Sequence, residues 1–142
     1  MEFGDIVSLD VGVRHNGFIG DNATTVPVGG CGVAAQRLLD VTEQSLYIGI
    51  AQARGGNRVV DISRAIQQHV ESHGYSVVRE FVGHGVGRSV HEEPQVPNFV
   101  ESGKKSPILR PGMTIAIEPM VNAGRPEVKI LKDKWTVVTV DS

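Results

Sequence analysis

Alternating apolar residues near the start of the chain predict a strand. Between residues 5 and 13 every second side chain is apolar, and these positions are Val7, Leu9, Val11 and Val13. The intervening positions are mostly polar or small, a pattern typical of a half-buried strand. Asn16-Gly17 follows, and this dipeptide favours a two-residue hairpin turn because both residues tolerate positive φ. A second strand is therefore predicted from Phe18 to about Val28.

Two helices are predicted in the middle of the chain. Residues 33–53 carry apolar side chains at helical spacing, and the predicted stripe consists of Ala35, Leu39, Leu46, Ile50 and Ala53. A second helix is predicted from about residue 58 to 73, and its buried face consists of Ile62, Ala65, Ile66 and Val70. Asn57 or Asp61 is the candidate N-cap, and Gly74 suits the position after the last turn.

The second half of the chain is predicted to alternate short strands with loops. Strands are expected at residues 75–82, 113–119 and 135–140. Residues 83–87 are predicted as a glycine-rich turn, and residues 92–111 as a long loop because they hold four of the seven prolines. Two strands, two helices and then further strands indicate an α+β fold, since no strand–helix–strand unit repeats.

Composition is compatible with one soluble domain and excludes several classes of protein. The 142 residues are 40% hydrophobic, enough for a single core, so residues 1–142 are predicted as one domain. The net charge of −2 gives no basic excess for binding nucleic acid. No apolar run is long enough for a membrane span. The single cysteine, Cys31, and the absence of a signal-peptide pattern favour the cytoplasm.

Two aspartates in the predicted hairpin form the first candidate site. With a two-residue turn, Gly12 pairs with Asp21 and Asp10 pairs with Ala23, so both carboxylates lie on one face. Diagonal neighbours of this kind are about 7–8 Å apart, close enough for their side chains to share a cation. Solvated aspartates on the wet face of a hairpin are the alternative interpretation. For either aspartate alone, solvation is the favoured interpretation. Two mid-strand aspartates on one face call for a reason, because Asp is depleted in strands, and a metal would supply it by relieving the repulsion of the carboxylates.

Histidines and a glutamate supply further candidate ligands. His84 lies between Gly83 and Gly85, which let a ligand or another backbone approach. His91 follows seven residues later, and Glu118 ends a predicted strand. With the aspartates these residues form an oxygen and nitrogen set that suits Mn, Fe, Co or Zn. The candidate ligands are Asp10, Asp21, His84 and Glu118.

The remaining histidines are weaker candidates. His69 and His73 are four residues apart on the second predicted helix, a spacing that can bind a metal. His69 also borders the apolar stripe, so packing is the favoured interpretation of this pair. His15 belongs to the hairpin turn and is expected to be solvated.

Several segments of the chain resemble the type I methionine aminopeptidases, metalloenzymes with the pita-bread (creatinase/aminopeptidase-like) fold. The matching segments follow the family's order and spacing over nearly the whole chain. They are Gly4–Asp10, Gly17–Asp21, Val77–Gly87, His91–Val96, Leu109–Thr114, Ile117–Gly124 and Lys132–Val137.

The resemblance implies a fold and a set of roles. The fold is expected to be a partial pita-bread domain, a curved antiparallel sheet covered by two helices. Two divalent metals are bound in the family, and the positions that match its ligands are Asp10, Asp21, His84 and Glu118. His91 matches a histidine that contacts the substrate amide, and Trp135 matches an aromatic of the methionine pocket. His91 and Glu118 are the residues expected to be catalytic.

The implied reaction is removal of the initiator methionine from peptides and nascent proteins by attack of a metal-bound hydroxide. The family's fifth ligand, a glutamate, is expected beyond Ser142, and its N-terminal portion has no counterpart here. The chain is therefore expected to be an internal fragment or truncated form, weakly active or inactive. We expect one metal site at most, built by Asp21, His84 and Glu118 with Asp10 nearby.

Two other functions remain open at this point. One is a non-catalytic pita-bread binding module, which intact ligand positions argue against. The other is a relative of the Xaa-Pro peptidases, which residues 91–96 match less well than they match the methionine enzymes. Unpaired strand edges and the apolar face of Val7, Leu9 and Val11 are expected to support a homodimer. Neither a nucleic acid nor a membrane is an expected partner.

Overall fold

Two helices and nine strands occur in residues 1–141, which the computed structural model describes. Along the chain they are β1 (Ile6–His15), β2 (Phe18–Pro27), α1 (Val33–Gln52), α2 (Val59–Ser72), β3 (Ser76–Val77), β4 (Gly83–Gly85), β5 (Glu92–Val96), β6 (Ile115–Ala116), β7 (Val121–Asn122), β8 (Val128–Ile130) and β9 (Val137–Thr139). All strand pairs are antiparallel. The order confirms the predicted α+β class.

The first hairpin forms with the predicted register. Asn16 and Gly17 have φ values of 48° and 83°, as a tight turn with two left-handed residues requires. Pairing then continues without a slip along both ten-residue strands. Asp10 pairs with Ala23, two pairs along from the pair of Gly12 and Asp21, so the two carboxylates lie on one face as expected.

The hairpin projects from the rest of the chain with its apolar face uncovered. Leu9, Val11 and Val13 are 50%, 53% and 55% exposed, so the predicted half-burial of this strand is wrong for the described chain. An exposed apolar face and open strand edges were expected from the sequence, and the structure shows both. Association through them stays a prediction.

Helix α1 packs on α2 through small residues. Its buried residues are Val41, Ser45 and Gly49, not the predicted stripe that begins at Ala35. A Cβ atom on Gly49 would lie 2.8 Å from Cδ1 of Ile66, so the glycine permits a close approach of the two helices. The prediction of the α1 face is wrong because the contact is made by small rather than large side chains.

Helix α2 carries the main core. Ile62, Ile66 and Val70 are fully buried, and they pack with apolar residues from the strands and from the loop before β6. Gly74 ends the helix with φ +81°, as its predicted C-terminal position requires. The N-cap is Arg58 rather than either predicted residue, and Asp61 completes the cap from the third helical position.

Asp61 should stabilise α2 in a pH-dependent way. Its carboxylate accepts hydrogen bonds from the Arg58 backbone N–H at 2.8 Å and from the Arg64 guanidinium at 2.9 Å. The Arg58 hydrogen bond is the main reason that the pKa of Asp61 is below its ordinary value. We expect Asp61→Ala to lower the free energy of unfolding by about 0.5 kcal/mol, the low end for a cap, because the group is solvated.

Urea denaturation at two pH values checks this expectation. A carboxyl with a lowered folded-state pKa stabilises above its unfolded pKa, and the effect disappears as the pH falls through the folded value. The difference between Asp61→Ala and the unaltered chain should therefore be present at pH 7 and vanish once the pH is below the folded-state pKa of Asp61. Glu43→Ala, an exposed change on α1, is the control. An unchanged difference at low pH would contradict the assignment.

The central sheet lies where a turn and a loop were predicted. β4 is the middle strand of a three-stranded sheet, between β5 and β6. Residues 83–87 were predicted as a turn and residues 92–111 as a loop, and both predictions are wrong for these strands. A Cβ atom on Gly83 would overlap the carbonyl oxygen of Ala116, so the glycine serves close strand pairing.

The other strands are shorter than predicted. The segment 75–82 contains only β3, which pairs with β7, and the segment 113–119 contains only β6. β9 pairs with β8, a strand that the sequence analysis missed. The antiparallel strands thus form four separate small sheets rather than one continuous curved sheet. Neither helix in the described residues combines the length and apolarity needed to cross a bilayer.

Candidate metal centre

Three of the predicted ligands converge on one point. One ligand atom from each of Asp21, His84 and Glu118 lies within 4.8 Å of the other two. His84 Nε2 is 3.6 Å from Asp21 Oδ2 and 3.1 Å from Glu118 Oε1. The side chains of Asp21 and His84 are 14% and 10% exposed and that of Glu118 is 31% exposed, so two of the three ligands are largely removed from water.

Each ligand comes from a different element. Asp21 lies on β2, near the turn of the hairpin. His84 is the middle residue of β4, and its neighbours across the sheet are Gln95 on β5 and Ala116 on β6. Glu118 follows β6 by two residues. The centre therefore depends on how the hairpin docks against the three-stranded sheet.

The tautomer of His84 leaves a lone pair at the centre of the cluster. Its Nδ1 lies 2.8 Å from the carbonyl oxygen of Gly85. A carbonyl can only accept, so Nδ1 carries the proton and donates it. In the neutral ring Nε2 is then an acceptor, and it faces two carboxylate oxygens. Metal-binding histidines are commonly oriented in this way, with the ring nitrogen that does not bind the metal donating a hydrogen bond to a backbone carbonyl.

The carboxylate of Glu118 also has an oxygen without a hydrogen-bond donor among the described residues. Its Oε1 is buried and has no hydrogen-bond partner among the described residues, although His84 Nε2 is nearby. Burial is the main reason that the pKa of Glu118 is raised; His84 opposes the shift, while Asp21 and Asp10 add to it. A buried acceptor facing other acceptors requires a proton or a cation between them.

A transition-metal ion fits this donor set. One imidazole nitrogen and two carboxylate oxygens are the mixed ligands that Mn, Fe, Co and Zn accept in proteins. The lone pairs already converge, and a cation would satisfy the orphaned Glu118 oxygen. The grouping expected from the sequence, with Asp21, His84 and Glu118 together, is present in the structure.

Two further predicted residues lie beside the cluster. Asp10 is exposed, and its charge is close enough to raise the pKa of Glu118. The His91 ring is 4.3 Å from the His84 ring, centre to centre, in an edge-on arrangement. Because His91 is exposed next to the buried ligands, it can meet a molecule that reaches the centre from solvent.

Trp135 is not brought to the cluster in the described chain. Trp135 belongs to the loop that connects β8 and β9, its side chain is 87% exposed, and its backbone N–H donates a hydrogen bond to Asp133. Its assignment to a substrate pocket stays a prediction.

The His69–His73 pair has a structural explanation. The two rings lie 4.5 Å apart near the end of α2, and His73 Nδ1 donates to the backbone carbonyl of His69. Such a bond satisfies one of the free carbonyls at a helix C-terminus. Burial, followed by the nearby His73 charge, lowers the pKa of His69. The pair lies outside the three-residue cluster.

Two residues that support the centre were missed by the sequence analysis. Asn98 is fully buried, and its amide nitrogen donates to the backbone carbonyl of Glu118 at 2.6 Å. Glu92 accepts two backbone hydrogen bonds from the loop that follows β4. Neither residue carries a sequence signal of its own, because each acts on the backbone of a segment distant in sequence or across a turn.

Comparison with known proteins identifies the family of the chain. The model of metallopeptidase family M24 matches residues 1–139. The methionine aminopeptidase 1 of Bacillus subtilis is 55% identical over 138 residues, which are 97% of this chain and 55% of that protein. The chain therefore spans about half the length of the curated relatives it matches.

Solved structures agree with this result. The crystal structure of methionine aminopeptidase from Rickettsia prowazekii superposes with a TM-score of 0.94 at 40% identity, over 99% of this chain and 57% of that one. A prolidase from Pyrococcus furiosus gives a TM-score of 0.72 at 24% identity, over 84% of this chain and 34% of that one, which shows a shared fold only. The predicted pita-bread fold is thus confirmed, and the chain belongs to metallopeptidase family M24.

Proposed function

We propose that this protein is a metal-dependent aminopeptidase that removes N-terminal methionine from peptides and nascent proteins. The observation that carries the proposal is the convergence of one ligand atom each from Asp21, His84 and Glu118, together with a buried Glu118 oxygen that has no hydrogen-bond partner among the described residues. Membership of a metallopeptidase family and the names of the similar proteins support it. Nascent proteins as substrates imply the cytoplasm as the proposed location.

The centre would hold a divalent Co, Mn, Fe or Zn ion, which supplies Lewis acidity for hydrolysis when bound. The side chains of Asp21, His84 and Glu118 would hold it. His84 is oriented by its hydrogen bond to Gly85, and burial limits competing water around it. Asp10 adds negative charge beside the cluster, which favours a cation and the free amine of a peptide.

His91 would position the substrate and Glu118 would handle a proton. The exposed His91 ring lies against His84, where its ring nitrogens can hydrogen-bond to a peptide group next to the scissile bond. Burial raises the pKa of Glu118 above its ordinary value, which suits a carboxyl that takes and returns a proton. This assignment gives both residues a role in the reaction.

The two alternatives are less well supported. A binding module without catalysis has no need for three potential metal ligands that converge on one point. An Xaa-Pro peptidase is the activity of more distant proteins of the same fold, such as the Pyrococcus prolidase, at 24% identity. The named similarity at 55% identity favours methionine as the first residue of the substrate.

A peptide-release assay tests the proposed function. The chain, supplied with Co²⁺ or Mn²⁺, is incubated with Met-Gly-Gly, Leu-Gly-Gly and Ala-Pro-Gly, and free amino acids are measured. We expect methionine release that is slower than the ~10 s⁻¹ of an ordinary enzyme but abolished by a chelator. His91→Ala should reduce release while leaving metal content unchanged. Preferred cleavage before proline, or equal release in the presence of chelator, would contradict the proposal.

A further inference from the structure

A carboxylate outside the ligand cluster holds the loop between β4 and β5. Glu92 Oε1 accepts hydrogen bonds from the backbone N–H groups of Arg88 at 2.8 Å and Ser89 at 2.9 Å. Two donors on one ionised oxygen are charge-assisted bonds, stronger than neutral ones. The side chain of Glu92 thus closes the loop 87–89 onto the first residue of β5.

Gly87 fits closely against the same carboxylate. A Cβ atom at this position would lie 2.9 Å from Glu92 Oε2 and 3.1 Å from Oε1. The carboxylate of Glu92 therefore contacts the loop at two places, at Gly87, where no side chain intervenes, and at the two backbone N–H groups of Arg88 and Ser89. This geometry fixes the direction in which the carbonyl of Gly87 points.

The Gly87 carbonyl docks the hairpin. It accepts a hydrogen bond from the backbone N–H of Ile19 on β2 at 2.7 Å. Within residues 1–141 this is the one backbone hydrogen bond that joins β1 or β2 to the part of the chain after residue 28. The next loop residue, Arg88, places its guanidinium 5.2 Å from the centre of the Phe18 ring, which reinforces the same contact.

The docked segment carries a metal ligand. Asp21 lies two residues after Ile19 on the same strand, so its side chain is placed against His84 by this contact. Asp21 comes from the hairpin, whereas His84 and Glu118 come from the sheet and its flank. A shift of the hairpin relative to the sheet would therefore separate one ligand from the other two.

We propose that Glu92 is a positioning residue for the metal centre, acting through the loop 87–89 to hold Asp21 opposite His84 and Glu118. The proposal rests on the metal centre described under the proposed function. Glu92 does not contact the ligands itself; its carboxylate is used by the loop. Its role depends on the reach and acceptor capacity of the side chain, and not on its charge at the metal.

Two conservative substitutions separate reach from charge. Glu92→Gln removes the charge but keeps a carbonyl oxygen at the same distance, so it can still accept both N–H groups. Glu92→Asp keeps the charge but is shorter by one methylene, so it cannot reach the loop in the same geometry. Glu92→Ala removes both, and Glu93→Ala is the control because the adjacent Glu93 side chain makes no described hydrogen bond.

The proposal is tested by titrating each variant with Co²⁺. Binding is measured by calorimetry and by the visible absorption of the bound cobalt. We expect Glu92→Ala and Glu92→Asp to weaken Co²⁺ binding about 10- to 100-fold, the range for residues that orient ligands, and to alter the absorption band. Glu92→Gln should stay within about threefold of the unaltered chain, as should Glu93→Ala. Rescue by Asp but not by Gln would overturn the proposal, since charge would then be the cause.

Backbone dynamics distinguish failure of the proposal from failure of the metal centre. If the unaltered chain binds no Co²⁺ in a His84-dependent way, the proposed function fails. The contact between Glu92 and the loop 87–89 is then tested by amide hydrogen exchange. Faster exchange at Ile19, Arg88 and Ser89 in Glu92→Asp than in Glu92→Gln supports it, and equal exchange overturns it. A thermal melt of each variant shows that the comparison is made on folded protein.

Discussion

Replacing His84 by alanine should weaken the binding of Co²⁺ or Mn²⁺ by at least about 100-fold. His84 is the one nitrogen donor in the cluster, and its Nε2 lies between the oxygens of Asp21 and Glu118. Without the ring, two carboxylates from different elements remain, and nothing brings a third ligand atom to the same point. Removal of a direct ligand should therefore cost more than removal of any residue that only orients one.

Isothermal calorimetry on the purified chain checks this expectation. His91→Ala is the matched control, because its ring lies 4.3 Å from that of His84 but belongs to none of the three converging ligands. We expect its affinity for the metal to stay within a few-fold of the unaltered chain. His69→Ala, a change on α2, controls for metal binding at other histidines. Equal losses in His84→Ala and His91→Ala would contradict the assigned roles.

The hairpin was predictable because the residues that determine its turn and register are adjacent in sequence. Asn16 and Gly17 select the turn, the turn sets the register, and the register places Asp10 and Asp21 on one face. The register of the hairpin is therefore set without any contact to the rest of the chain. Its burial was not predictable in the same way, since what covers an apolar face depends on segments remote in sequence.

Tertiary contacts explain the predictions that were wrong. Gly83 and Gly85 read as a turn because glycine is depleted in strands, yet they form the middle strand of a sheet. The packed face of α1 was misassigned because Ser45 and Gly49, small residues, make the closest contact with α2. In both places a small or absent side chain allows two strands or two helices to approach closely. The periodicity of hydrophobic residues gives no information about such contacts.

The candidate site divides in a similar way. The four candidate ligands were identified from their residue types and positions, as with His84 between two glycines, and the family resemblance matched the same four positions. The supporting residues Glu92 and Asn98 act through hydrogen bonds to backbone groups. Their roles depend on which backbone groups lie near them in the fold, and the sequence contains no pattern for that.

Gly85→Ala is expected to be the most disruptive single-methyl addition near the centre. A Cβ atom on Gly85 would overlap the carbonyl oxygen of Glu93 and lie 2.9 Å from that of Glu92. These are backbone atoms of the neighbouring strand, so no side-chain rotation can relieve the contact. The strands must separate, and we expect a loss of about 1–3 kcal/mol in the free energy of unfolding, the usual cost of overpacking.

Gly20→Ala provides the matched control for this change. Gly20 is also a strand glycine close to a ligand, but a Cβ atom there meets nothing within 4 Å. We expect its free energy of unfolding to change by no more than about 0.5 kcal/mol in urea denaturation. Because β4 carries His84, Gly85→Ala should also weaken Co²⁺ binding, whereas Gly20→Ala should not. Equal stability of the two variants would show that β5 can move away from β4 without cost, and the close strand pairing would then have no part in holding the centre.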